Sequence, residues 1–500
     1  MGEKESSTLD CNLVSFLIRL ICSWFMTINN EQSTPNNTFL KLMPQEDQQL
    51  TLTPADYSLL TDLYELTMAA CYVGEGLENR RASFELFVRR LPNGFGYLIA
   101  MGLAQVLDYL EKLQFSESHI EALQATGLFD QVPERFWSVL KSGGFAGDVW
   151  AVPEGTAVFA NEPLLRVEAP LWQAQLVETY ILNTINYQTL IATRAARMRD
   201  VAGEDAKLLE FGTRRAFSPQ GAIWAARAAL AAGFDSTSNV VAALRLNQKP
   251  SGTMAHSLVM AIAAVSGSED EAFSAFQRYF PSAPLLIDTY DTVAAAQRLA
   301  EQVKANQTKV AGVRLDSGDI ADLSQQVNSL LPDAKIFASG DMDEWEIAKI
   351  KQAGGIIDGY GVGTRLVTGK PVNGVYKLVE MDGIPTMKQS SSKETYPGRK
   401  QVFRHCVDGK ISKDRLAMAS ESSQENEQQL LQLMVKEGKR LNPPEPLADI
   451  KKRTAATVAM IPDAIRQLDD PQPLQVEISD ELQQLTQQTE KRLEQEATDV

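Results

Sequence analysis

The chain has 500 residues, enough for two or three domains and a large core, and its 44% hydrophobic and 22% charged content is that of a soluble globular protein. A formal net charge of −16 argues against a nucleic-acid partner, because phosphates would be repelled, but leaves room for a small anion held by a local cationic cluster. Cys11, Cys22, Cys71 and Cys406 are scattered with no C-x-x-C pair, which excludes a readable zinc site or disulfide framework and predicts free thiols in a reducing cytoplasm.

Residues 1–46 differ in texture from the rest. Asn12–Ile28 is apolar, but it is 17 residues long, carries Arg19 in its middle and follows Glu3, Glu5 and Asp10. That is short for a membrane span and has the wrong charge for a signal peptide. It reads as an amphipathic appendage or a non-native leader, with Met26 and Met43 as later starts and a weak surface anchor as the alternative. No stable membrane insertion is expected. Residues 29–56, rich in Asn, Gln, Thr and Pro, read as a linker.

An amphipathic helix is predicted from Ser58, with Leu59, Leu60, Leu63, Leu66 and Met68 near helical spacing. Phe84–Val88 reads as a strand closed by the turn Leu91-Pro92-Asn93-Gly94, and helices follow to about residue 140. Gly147–Ala169 reads as short strands. From residue 207 apolar runs recur at Leu208–Phe211, Leu285–Asp288, Val310–Leu315, Lys335–Ser339 and Ile356–Val362. Helical patterns lie between them at Thr292–Val303, Ile320–Leu330 and Glu344–Lys351. This alternation is the signature of parallel α/β architecture. A barrel is favoured over an open sheet because so many consecutive strands end in chemically loaded turns. Residues 374–411 read as further strands with a basic loop holding Lys388, Lys393, Arg399, Lys400 and Arg404. The tail beyond 470 reads as an amphipathic helix with Leu482, Leu485 and Leu493, either packed or paired in a coiled coil. The expected divisions are an extension over 1–46, an N-terminal domain over 47–190, a barrel carrying the site over 191–380, and a C-terminal segment over 381–500.

Of the three histidines, His119, His256 and His405, only His256 sits in a small-residue turn, Ser251-Gly-Thr-Met-Ala-His-Ser257. Free backbone N–H groups there suit an anion, and the imidazole suits a base or nucleophile; the plainer reading is a histidine satisfied at a helix start. Gly359, Gly361 and Gly363 alternate before Thr364, which lets a backbone approach a phosphate or merely turn tightly. Asp316, Asp319 and Asp341 could hold Mg²⁺ through water, accept sugar hydroxyls, or only form turns. Arg314 and Asp316 share one strand face, so they suit an anionic ligand beside a hydroxyl or metal, and Arg214 and Arg215 add cationic charge. Phe211, at a strand mouth, is core or a stacking surface for a flat ring, while Tyr64, inside a helix, reads as core.

Taken in order, LLTDLYELTMAA, FELFVRRLPNGFGYLIAMGL, LEFGTRRAFSPQGA, GFDSTSNV, SGTMAHSLVMA, LLIDTYDT, GVRLDSGDIA, DGYGVGTRLVTG, GVYKLVE and YPGRKQVFR resemble nicotinate phosphoribosyltransferases over residues 59 to 406, with VEIS near 476 in addition. The resemblance implies a fold of the α/β class, an irregular α/β barrel of the type II phosphoribosyltransferase kind, with a smaller α+β domain formed by the N- and C-terminal parts. It implies ATP-coupled synthesis of nicotinate mononucleotide from nicotinate and 5-phosphoribosyl-1-pyrophosphate, with Mg²⁺, in a homodimer with sites at the interface. By the same resemblance His256 is the residue phosphorylated by ATP, and Asp316 joins it in the catalytic set. Thr253 and Arg314 contact nicotinate, and Phe211 and Tyr64 sandwich the ring, Tyr64 from the other subunit. Arg214, Asp316, Gly340, Asp341 and Thr364 bind the phosphoribosyl pyrophosphate. The extension over 1–46 has no counterpart in that pattern. A nicotinamide phosphoribosyltransferase, with an acidic acceptor sought near Asp235-Ser236-Thr237, and a non-catalytic ligand sensor are the alternatives; a quinolinate enzyme fits less well.

Overall fold

The computed structural model describes residues 50, 52–388 and 395–498. The readings on residues 1–46, on Cys11 and Cys22, on most of the 29–56 linker and on Lys393 lie outside the described residues. The chain forms two compact units, one containing Phe115–Ser142 and the other Pro54–Gln114 with everything from Gly143 onward.

In the first unit a helix over Glu117–Ala125 begins at Ser116. The Ser116 hydroxyl accepts the His119 N–H at 3.2 Å, and His119 Nδ1 accepts the Ser116 N–H at 3.3 Å. This reciprocal cap is the role of His119. Phe129, Phe136 and Trp137 pack as a ring cluster at the second helix, Arg135–Lys141.

The second unit holds three larger sheets and one short two-stranded ladder. One sheet is antiparallel, in the order Ile384–Pro385, Gly374–Met381, Arg81–Val88, Pro163–Pro170, Asp148–Ala151, Gln432–Lys436, Lys439–Arg440. Strands from before residue 171 and from after residue 373 therefore share one sheet, so the smaller α+β part is built from both ends of the chain. Arg81–Val88 is buried at seven of its eight positions, which needs cover on both faces. Within it Glu85 is fully buried and pairs with Lys400 Nζ at 2.9 Å. A second sheet joins Glu427–Gln429, Lys400–Val407, Lys410–Met418 and Val476–Ile478, and the predicted tail helix follows at Asp480–Thr498.

The third sheet is parallel and six-stranded: Ser236–Thr237, Lys207–Glu210, Gly359–Val362, Lys335–Ala338, Gly312–Leu315, Leu285–Leu286. Helices fill the connections, and several start on an aspartate cap. The Asp291, Asp319 and Asp343 side chains accept the N–H of Ala294, Asp322 and Glu346 at 2.8, 3.1 and 2.9 Å. These caps fix where each strand-end turn stops and its helix begins. The alanine-rich helix Pro219–Ala231 packs on the long helix Glu178–Ala202, and small buried side chains let the two approach closely.

The sheet has no hydrogen-bonded strand ladder between its two edges among the described residues. The segment 251–256 spans them instead. Ser251 N–H donates to Thr237 O at 2.9 Å on one edge strand, and His256 Nδ1 lies 3.1 Å from Thr289 Oγ1 beyond the other. One backbone bond and one side-chain bond tie this segment to the two edges, so the expected barrel is found as an open six-stranded parallel sheet with no closed ladder among the described residues. No helix among the described residues is long and apolar enough to cross a membrane.

Candidate active site

The C-terminal ends of the parallel strands bring most of the expected residues together. His256 opens the helix His256–Ser266, its side chain 39% exposed, with Nε2 3.9 Å from Asp288 Oδ1. Asp288 is the organising group. Its side chain is buried, and Oδ2 accepts the Asp316 N–H at 3.0 Å and the Ser317 hydroxyl at 2.7 Å. Its Oδ1 is buried with no hydrogen-bond partner, so that oxygen is left for His256. Asp316 Oδ1 in turn accepts the Ser339 hydroxyl. Gly340 lies at φ +86°, and a Cβ there would meet Asp316 O at 2.2 Å, so only glycine fits. Asp341 follows, exposed and also left-handed at φ +43°.

Arg314 Nη1 donates to Thr253 Oγ1 at 2.8 Å, while its Nε is buried without a partner. Burial pulls the Arg314 guanidinium below its usual range, nearby Asp316 and Asp288 oppose this, and Arg214 adds to it. Arg214 is carried by the turn after Lys207–Glu210, three strands away in the sheet order and at the same C-terminal ends. A buried guanidinium with an unused N–H is a ready seat for a carboxylate.

Phe211 N–H donates to Val362 O at 2.7 Å, and the ring lies over Gly361, where a Cβ would meet ring carbons at 2.4 and 2.6 Å. Gly359 likewise makes room for the Phe337 ring, at 2.8 Å from an added Cβ. Two of the three alternating glycines therefore seat aromatic rings rather than a phosphate. Only Gly363 leads into a helix start, at Thr364–Val367, with Thr364 half-buried. One oxygen of exposed Asp319 accepts the Asp322 N–H in its helix cap. Arg214 and Arg215 are exposed in their turn.

Tyr64 does not join this cluster within the chain. It is 46% exposed on the helix Leu63–Gly74, and burial of its hydroxyl together with Glu178 and Glu65 pushes the phenol up. Asp235, sought as an amide acceptor, lies at the other ends of the strands, where it accepts the Leu208 N–H at 2.9 Å and pairs with Arg199 at 2.6 Å. The sequence reading assigned no role to Asp288, Thr289, Ser339 or Glu210. Glu210 is buried at its strand end, and its carboxylate accepts the Gly212 N–H and the Thr237 hydroxyl, fixing the turn that carries Phe211 and Arg214. Burial pushes this carboxyl up while those two bonds pull it down. A carboxylate two residues before the glycine of a turn was the available signal. No group of three or more His, Cys, Asp or Glu among the described residues could hold a metal.

Family models match the chain in succession: the nicotinate phosphoribosyltransferase N-terminal domain over residues 59–186, the nicotinate phosphoribosyltransferase family over 206–409, and the C-terminal domain over 424–486. A nicotinate phosphoribosyltransferase of Mycobacterium tuberculosis is 40% identical over 424 residues, 83% of this chain and 89% of that protein. The Bacillus subtilis nicotinate phosphoribosyltransferase is 44% identical over 367 residues, 69% of this chain and 73% of that one. The crystal structure of human nicotinic acid phosphoribosyltransferase superposes with a TM-score of 0.75 at 28% identity, covering 86% of this chain and 99% of that one. A nicotinate-nucleotide pyrophosphorylase from Pyrococcus furiosus shares the fold, with a TM-score of 0.68 at 23% identity, 84% of this chain and 99% of that one. With the three matched parts in order and relatives at this level of identity and coverage, the chain belongs to the nicotinate phosphoribosyltransferase family.

Proposed function

We propose that the chain joins nicotinate to 5-phosphoribosyl-1-pyrophosphate, giving nicotinate mononucleotide and pyrophosphate, with ATP hydrolysis coupled through a phosphorylated His256. The observation that carries this is the Arg314–Thr253 pair, with an unused buried Arg314 N–H, at the end of the sheet where Phe211 offers a ring face. Nicotinate is a flat ring bearing a carboxylate, and those two features are what this pair and Phe211 match. The ring nitrogen carries no proton, so its attack on the ribose needs alignment rather than a base. The acid is favoured over the amide because Asp235 sits at the far strand ends and supplies no acceptor here.

His256 takes the phosphoryl group of ATP on one ring nitrogen, ADP leaves, and water later releases phosphate. Thr289, 3.1 Å from Nδ1, and the spare oxygen of Asp288 near Nε2 hold the ring and its proton. Arg214, Asp316, Gly340, Asp341 and Thr364 are assigned to the phosphoribosyl pyrophosphate. Mg²⁺ fits as an ion that arrives on the diphosphate: Asp316 and Asp341, on adjacent turns, are the one or two carboxylates such an ion takes. Held by those carboxylates, such an ion would supply charge neutralisation for the pyrophosphate. Tyr64, outside its own cluster, is assigned to the site of the second chain in a homodimer. Free Cys71 and Cys406 support a cytoplasmic setting.

The test is product formation from labelled nicotinate or nicotinamide with phosphoribosyl pyrophosphate and Mg²⁺, with and without ATP, on wild type and His256→Ala. Nicotinate mononucleotide whose formation is stimulated by ATP only in the wild type is the expected result. Equal stimulation in the variant removes the relay role. Preference for nicotinamide removes the substrate assignment, and binding without turnover leaves a sensor.

A further inference from the structure

A second chemically furnished cavity, of about 360 Å³, lies at the opposite ends of the parallel strands, between helices Glu178–Ala202 and Leu447–Met460. One stripe of the second helix lines it: Lys451, Thr454, Ala455, Val458 and Ala459, the i, i+3, i+4, i+7, i+8 face. Lys451 and Ala459 are eight positions apart, about 12 Å along the axis. The wall between them is Thr454, Ala455 and Val458, facing Ala196 and Ala232.

The charges in this cavity cancel unequally. Asp235 is paired with Arg199 and Asp200 with Arg466. Two lysines remain. Lys451 Nζ donates to Phe234 O at 2.8 Å near one end, and Lys410 Nζ donates to Ala459 O at 2.7 Å near the other. Neither has a carboxylate within 4.0 Å among the described residues, and each ammonium keeps donors beyond its single backbone bond. The remaining carboxylate on the wall, Glu204, is exposed, as is Lys410, and Glu204 and Asp235 act on Lys451 from beyond that distance. A half-buried and an exposed ammonium, each tied to a carbonyl at the ends of a short trough with a small-residue floor and charged walls, are an arrangement that helix packing alone does not require. Burial also holds Lys451 below its ordinary range, a cost that a bound anion would offset.

We propose that this trough binds a small organic anion with a flat apolar body and negative charge at one or both ends, an aromatic carboxylate or phosphate no larger than a mononucleotide. The proposal rests on the cavity and does not depend on the reaction proposed above. The probe is naphthalene-1,5-disulfonate, titrated calorimetrically into the full chain, with naphthalene-1-sulfonate and inorganic phosphate as partial probes. Saturable binding of the disulfonate is expected, weakened at least about tenfold in Lys451→Met and in Lys410→Met, one charged contact each. It should be lost in Ala455→Trp, which fills the trough, and inorganic phosphate, lacking the body, should bind more weakly than either sulfonate. Far-UV circular dichroism confirms that each variant is folded; if Ala455→Trp is not, the double variant Lys410→Met/Lys451→Met decides. Absence of saturable binding, or affinity unchanged in the folded variants, overturns the proposal.

Discussion

Gly361→Ala is the sharpest test of how the ring seat is built. The strand backbone at Gly361 is ordinary, so alanine brings no backbone strain; the whole effect comes from one methyl group. Its carbon would lie 2.4 and 2.6 Å from two carbons of the Phe211 ring and 3.3 Å from Ser339 Cβ. Carbon atoms rest about 3.5–4.0 Å apart, so the ring must retreat by about 1 Å. Overpacking of this kind costs about 1–3 kcal/mol of stability. A reacting ring misplaced by about 1 Å costs up to about 100-fold in kcat/KM. The assay is steady-state nicotinate mononucleotide formation with nicotinate varied, alongside a thermal melt. The expected outcome is a raised KM for nicotinate with a lowered Tm. Adding Phe211→Leu to the same chain should recover Tm, because the colliding ring edge is gone, but not KM. A Gly361→Ala protein with wild-type KM and Tm would show that Phe211 is not seated by this glycine and does not stack the substrate.

Arg314→Lys keeps the charge but loses the fork that reaches both Thr253 and a carboxylate; KM for nicotinate should rise about 10- to 100-fold in initial-rate assays, with Tm little changed. Asp288→Asn should sharply reduce label incorporated from γ-labelled ATP and lower stability by about 1–3 kcal/mol in denaturant titration, since the same side chain holds Asp316 N–H and Ser317. Glu344→Ala strands the buried Arg197, paired at 2.9 Å, and should cost about 3–5 kcal/mol in the same titration. Glu65 is buried and its carboxyl is pushed up to about 7, first by burial. A folded pKa above the unfolded one means stabilisation that is present below about pH 4.5 and lost as pH rises through 7. Glu65→Gln should therefore match wild type near pH 5 and exceed it at pH 8, by up to about 3 kcal/mol, in melts across that range. A constant difference across that range would refute the assignment.

Local chemistry made the strand ends legible. Gly312–Leu315 and Lys335–Ala338 fall within predicted apolar runs and Lys207–Glu210 is offset by one residue from the predicted Leu208–Phe211, because a buried parallel strand is largely apolar and its turn polar. What stayed hidden depends on neighbours distant in sequence. Gly359 and Gly361 look alike as phosphate glycines, yet each answers to a ring from another strand, Phe337 and Phe211. Asp316 and Asp319 look alike as ligands. The helix start at Ile320 claims Asp319 for its cap, and the chain reversal at Gly340 leaves Asp316 in the site.

Asp288 shows the same limit from the other side. Its turn was visibly loaded, but nothing within five residues of it says that one carboxylate oxygen would serve Asp316 and Ser317 and leave the other for His256. That division exists only because segment 251–256 crosses from the Thr237 edge of the sheet to the Thr289 edge, carrying His256 over Asp288 on the way. A barrel closed by a strand would put a backbone ladder where this chain puts Thr253 and His256. This crossing segment is thus the feature that lets His256, Thr253 and Arg314 meet at one end of the sheet. A substitution that loosens the Ser251 anchor, though remote from any substrate atom, should act on both the phosphoryl and the ring-binding steps together.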